Sequence, residues 1–111
     1  MNWIPLQNEE QLKEIILNSN NKPQVIFKHS TRCSISSMAK NRLDKKDQPE
    51  GIDFYYLDLI KHRKISNKIA DDFQVMHQSP QVLIINQGKC VYDESHSGIT
   101  MDDIEANALK N

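Results

Sequence analysis

Apolar residues fall at two spacings along this 111-residue chain, and the switches between them mark out its elements. Asn8-Glu9-Glu10-Gln11 carries a capping-box pattern, and Leu12, Ile15 and Ile16 follow at helical spacing. A first helix is expected to stop near Asn18 to Asn21. Val25 to His29 is β-branched and aromatic at its centre and predicts a buried strand. From Ser34, the residues Ile35, Met38, Ala39 and Leu43 share one face of a helix expected to run to about Lys46, with Ile35 turned inward. Asp47 to Gly51 has loop composition, and Ile52 to Leu59 predicts a second strand. Ile65, Ile69 and Phe73, four apart, mark the next helix. Val82 to Ile85 predicts a strand, Asn86-Gln87-Gly88-Lys89 a hairpin turn and Cys90 to Asp93 an edge strand. Thr100 then caps a terminal helix with Ile104, Ala108 and Leu109 inward, and Trp3 to Leu6 has room for a short extra strand.

The order αβαβαββα defines an α/β fold. Its first two long strands, joined by a helical crossover, are expected to be parallel, and the closing hairpin adds two antiparallel strands. That is a central mixed sheet flanked by helices, in one domain spanning residues 1–111. The connectivity brings the segment after Val25–His29, the segment after Leu59, Pro80 and His96-Ser97-Gly98 to one edge, where ligands favour the carboxyl ends of parallel strands. Composition narrows the function classes. The net charge of −1 leaves no broad field for nucleic acid or membrane. The start Met1-Asn2-Trp3-Ile4-Pro5 lacks a basic, apolar leader, and no run reaches transmembrane length. A cytoplasmic protein, expected to be a monomer, with two reduced thiols follows.

One of those thiols stands at the chemical edge. Cys33, in Thr31-Arg32-Cys33-Ser34-Ile35-Ser36, lies where a strand hands over to a helix, and its neighbours are mostly polar. Unpaired N–H groups and the helix dipole there favour the thiolate, and Arg32 adds positive potential if it turns toward the sulfur. Three residues on, where a dithiol site has its second cysteine, stands Ser36, so the chemistry expected is that of a single thiol. Two roles are open to Ser36: a hydrogen bond to the thiolate, or satisfaction of a backbone group in the first helical turn. Pro80, opening a later strand, is expected to be cis and to leave the Ser79 backbone open for a substrate chain. A reactive cysteine answered by such a proline is the layout of a thioredoxin-like site. Cys90 comes out at the other end of the hairpin, roughly 16 Å from Pro80 at about 3.3 Å per residue. Disulfide geometry forbids it from resolving Cys33 in a rigid monomer. The basic run Lys61-His62-Arg63-Lys64 is either a solvated face or a site for the carboxylates of a thiol cofactor. His29 and His77 flank the site in sequence, and no tight spacing of His and Cys suggests a metal.

Lys28-His29-Ser30-Thr31-Arg32-Cys33-Ser34-Ile35-Ser36, Tyr56-Leu57-Asp58-Leu59, His77-Gln78-Ser79-Pro80-Gln81 and Ser95-His96 closely resemble the bacillithiol-system, YtxJ-like monothiol bacilliredoxins of the thioredoxin superfamily. The resemblance spans nearly the whole chain. It implies a thiol-disulfide oxidoreductase of the redox stress response, with Cys33 and Ser36 catalytic and Arg32, Ser34, Ser79 and Pro80 contacting substrate. Its partners would be S-bacillithiolated proteins, and bacillithiol would serve as co-substrate with no cofactor bound. Ser34 departs from the proline that glutaredoxin-like sites often carry after the cysteine. Two other readings stand beside it: an iron–sulfur carrier, for which Cys33-Ser34-Ile35-Ser36 lacks the small glycine, and a non-catalytic peptide-binding stress module with an inert Cys33.

Overall fold

A computed structural model describes residues 1–110 and places ten elements in the order β1 (Ile4–Pro5), α1 (Glu9–Asn18), β2 (Gln24–His29), α2 (Ser34–Asp44), β3 (Asp53–Asp58), α3 (Arg63–Phe73), β4 (Gln81–Asn86), β5 (Lys89–Ser95), a short 3₁₀ turn (His96–Gly98) and α4 (Met101–Ala108). Five strands form one sheet in the order β1-β3-β2-β4-β5. β3 runs parallel to β1 and β2, and β4 is antiparallel to β2 and β5. This is the mixed α/β sheet expected from the sequence, with the short first strand in place.

Local chemistry sets the element ends. Asn8 Oδ1 accepts from the Gln11 N–H at 2.9 Å, while Gln11 Oε1 reaches back to the Gln7 N–H at 2.6 Å, so one polar pair starts α1. Thr100 Oγ1 accepts from the Asp103 N–H at 3.2 Å and starts α4. Gln87 and Gly88 both have positive φ, 54° and 75°, the geometry that closes a two-residue hairpin with the twist of its strands.

The central strands β2 and β4 are buried along their whole length because helices cover both sheet faces. Val25, Phe27, Phe54, Val82 and Ile84 pack with Ala39 and Leu43 of α2 and Ile104 and Ala108 of α4. On the other face Ile26, Leu57, Leu83 and Ile85 pack with Leu12 and Ile15 of α1 and Ile65, Ile69 and Phe73 of α3. Trp3, before β1, lies 5.6 to 6.2 Å from the rings of Phe27, Phe54 and Tyr56 and donates its indole N–H to Asp44 Oδ1 at 2.7 Å.

Two helix faces differ from the periodicity. In α2 the inward residues are Ser36, Ala39 and Leu43, while Ile35 is 51 % and Met38 61 % exposed. The helix is rotated by about one position relative to its apolar stripe, because Ser36 finds hydrogen-bond partners inside and is accepted as a buried polar group. Leu109, expected inward, follows α4 as its C-terminal cap and is 65 % exposed.

Candidate active site

β2 delivers Cys33. The strand ends at His29, a tight turn places the Cys33 N–H on the Ser30 carbonyl at 3.1 Å, and Cys33 becomes the N-terminal cap of α2 with extended backbone. Its side chain is half-buried and forms no capping bond of its own. The Ser36 N–H, then the Ile35 N–H, and last the Ser36 hydroxyl favour the thiolate and hold the Cys33 pKa below its ordinary value. Arg32 is exposed and is not among the groups that produce this shift, so the positive potential expected from it is supplied instead by backbone N–H groups. Ser34, the first residue of α2, is exposed beside it.

Ser36 is fully buried and links two parts of the site. Its Oγ accepts from the Ser30 N–H at 3.4 Å and lies 3.4 Å from the Ser79 hydroxyl. Its hydroxyl is among the groups that favour the thiolate, and the backbone group it satisfies is the Ser30 N–H, in the turn before Cys33 and not in the first turn of the helix. The Ser79–Pro80 bond is cis, Pro80 is buried and Ser79 is half-buried. The Pro80 carbonyl accepts from the His96 N–H at 3.1 Å, and the His96 and Ile99 carbonyls are clasped by the Arg42 guanidinium at 3.1 to 3.4 Å. Cys33, Ser36, Ser79, Pro80 and the His96 segment thus meet at one edge, as the connectivity requires.

Residues 4–104 match the family model described as monothiol bacilliredoxin BrxC. The chain belongs to the monothiol bacilliredoxin family. A solved structure described as a putative oxidoreductase with a thioredoxin fold is 30 % identical, with a TM-score of 0.82 over 94 % of this chain and 91 % of that one. Thioredoxins share the fold at lower identity. The Malassezia sympodialis protein is 16 % identical, with a TM-score of 0.76 over 98 % of this chain and 90 % of its own. Mitochondrial thioredoxin 3 of Saccharomyces cerevisiae is also 16 % identical, with a TM-score of 0.75 over 98 % of this chain and 95 % of its own. The bacilliredoxin is accordingly a thioredoxin-fold redox protein, and its family ties it to bacillithiol-related thiols in general. No helix among the described residues is long and apolar enough to cross a membrane.

The remaining candidates of this bacilliredoxin are dispersed. Cys90 is half-buried in β5, pairs with Ile85 at the far end of the hairpin from Pro80 and donates its thiol to the Tyr92 carbonyl at 3.3 Å. Burial pushes its pKa up to about 11, the opposite of an activated thiol. Lys61, His62, Arg63 and Lys64 line a shallow groove of about 550 Å³ with Gln7, Asn8 and Glu9 at the start of α3, and Cys33 is not part of that lining. No cluster of three or more metal-binding side chains occurs among the described residues. His29 is buried against Phe27 and Tyr56, its pKa lowered by burial and by Lys40, with Asp58 and the Ser36 backbone opposing. His77 is exposed on the loop before Ser79, and its Nδ1 lies 3.4 Å from the Ser66 hydroxyl. Sequence reasoning passed over two residues behind this site, Lys28 and Gln81. Both are fully buried polar side chains in strands, and only their position in the β2–β4 ladder brings them together.

Proposed function

We propose that this bacilliredoxin removes bacillithiol, or a closely similar low-molecular-weight thiol, from protein mixed disulfides through Cys33. The Cys33 thiolate attacks the small thiol's sulfur in the mixed disulfide. The substrate S–S bond breaks, its electron pair passes to the substrate protein's cysteine, and that sulfur takes up a proton. A new S–S bond joins Cys33 to the small thiol. A second molecule of the small thiol, as thiolate, then attacks the small-thiol sulfur on Cys33. It leaves as the symmetric disulfide and returns Cys33 to the thiolate. Ser79 and Pro80 receive the substrate chain, with Arg32 and Ser34 exposed alongside. The exposed side chains of Ile35 and Met76 offer apolar contact to a protein substrate.

One observation carries this reading: Cys33 is favoured as thiolate at a helix N-terminus while the resolving position holds a buried serine bonded toward Ser79. Exchange with a mixed disulfide needs one nucleophile and a good leaving thiol, not a second protein cysteine. Cys90, weakly acidic and at the far end of the hairpin, fits no resolving role. Two free thiols also fit a reducing, cytoplasmic setting.

Intact mass after mixing the protein with bacillithiol disulfide at neutral pH tests the reading. A single adduct is expected on the wild type and on Cys90→Ser, absent from Cys33→Ser and cleared by added bacillithiol. A wild type that takes up no adduct would overturn the proposal in favour of a peptide-binding module.

A further inference from the structure

Lys28 is a buried cation without a counter-ion. Its side chain is 0 % exposed, on the α1 and α3 side of the sheet with Ile26, and no salt bridge among the described residues includes it. Its hydrogen-bond partner is Gln81 Oε1, at 3.2 Å. Gln81 is 1 % exposed, stands directly after Pro80 and pairs with Lys28 in the β2–β4 ladder. The same amide engages the loop before Ser79 twice. Its Oε1 accepts from the Gln78 N–H at 3.4 Å, and its Nε2 donates to the Met76 carbonyl at 3.0 Å. These three partners agree on one orientation of the amide. An ammonium and a backbone N–H only donate and a carbonyl only accepts, so a flipped amide would set donor against donor and acceptor against acceptor. Lys28 thereby adds a third partner, from the neighbouring strand, to the orientation that fastens both Met76 and Gln78.

An apolar side chain of similar length would fill the Lys28 site at lower desolvation cost. A buried, uncompensated lysine therefore does not serve packing, and the segment it orders leads straight into the substrate-facing Ser79. We infer that Lys28 is a positioning residue for disulfide exchange: through Gln81 it holds the Met76–Ser79 loop in the arrangement that receives the substrate chain. Its action on Cys33 is indirect. The groups favouring the Cys33 thiolate are Ser36 and Ile35 on α2, which packs on the opposite sheet face from Lys28.

This inference rests on the exchange reading above, and its test keeps the two apart. Lys28→Met is compared with wild type in three measurements: de-thiolation of a protein mixed disulfide, alkylation of Cys33 by iodoacetamide across pH, and thermal unfolding. Expected for Lys28→Met are an unchanged alkylation profile, an equal or higher Tm, and exchange slowed about five- to tenfold through KM, the factor one lost hydrogen bond contributes. Unchanged exchange would overturn the inference. So would an alkylation profile shifted to higher pH, which would make Lys28 an electrostatic partner of the thiol. Gln81→Glu is the second variant and decides the matter if Lys28→Met does not fold. It gives Lys28 a carboxylate but removes the donor to Met76, so exchange should fall by a similar factor with alkylation unchanged, and full exchange activity in it would refute the clamp. A wild type inactive in exchange would instead refute the proposed function itself.

Discussion

Cys33 owes its acidity to backbone geometry more than to neighbouring charge, and Ser36 separates the two contributions. Its N–H is the largest influence on the thiol and its hydroxyl the smallest of those that favour the thiolate. Ser36→Ala should therefore slow alkylation of Cys33 at pH 7 by no more than about threefold, because the N–H groups of Ser36 and Ile35 remain. The same variant leaves the Ser30 N–H without its acceptor and should cost about 1 kcal/mol in urea unfolding. His29 makes a different prediction. Burial lowers its pKa in the folded protein, so as pH falls the unfolded chain takes up this proton first, from about pH 6.5 downward. The native state then binds fewer protons, so stability is lost as pH falls below that value. His29→Phe, which keeps a ring between Phe27 and Tyr56, should flatten the fall below about pH 6.5 in denaturant titrations, leaving the part due to His77, which shifts the same way.

At the scale of elements, α2 and the β2–β4 ladder are the informative pair. The inward face of α2 is Ser36, Ala39 and Leu43, so Ile35→Ser should leave stability within about 0.5 kcal/mol, while Leu43→Ala should cost about 2–5 kcal/mol. Equal losses would mean that α2 is rotated toward its apolar stripe. In the ladder, burial lowers the Lys28 amine to about 8. Between pH 8 and its ordinary value of 10.5 the unfolded chain carries the proton that the native state has released, so this group's contribution to stability rises with pH there. Below pH 8 the lysine is held as a buried ammonium at a net cost to stability. Cys90, its pKa raised, works in the opposite direction from about pH 9 upward, so the informative quantity is the difference between wild type and Lys28→Met. That difference should move in favour of the wild type from pH 8 to 10, with His77 the nearby titratable group on the loop side.

On the scale of the whole molecule, the N-terminal segment joins both cores. Trp3 packs on the face of α2 and α4, Leu6 is buried on the face of α1 and α3, and β1 between them pairs with β3. Trp3→Ala should lower Tm by on the order of 10 °C, since it removes three ring contacts and the bond to Asp44. The cost should fall on folding and not on the thiol: the Cys33 alkylation profile measured below the transition should match that of the wild type.

Element order, the parallel-then-antiparallel sheet, the position of Cys33 and the serine at the resolving position were legible in the amino-acid sequence. Each depends on short-range rules: strand and helix periodicity, capping residues, the turn at Gln87-Gly88 and the spacing from Cys33 to Ser36. The family was legible for a related reason, because its motifs are contiguous. Periodicity failed at Ile35 and Met38, since a pattern of residue types does not register that a buried serine has found two partners, and at Leu109, which lies beyond the last turn of α4 as its cap. Tertiary structure alone decided that the Cys33 thiolate draws on Ser36 and Ile35 more than on Arg32, and that Lys28 and Gln81, 53 positions apart, share one amide network behind Ser79. Hydrogen bonds between distant buried polar groups depend on strand register and side-chain direction, which exist only once the sheet has assembled.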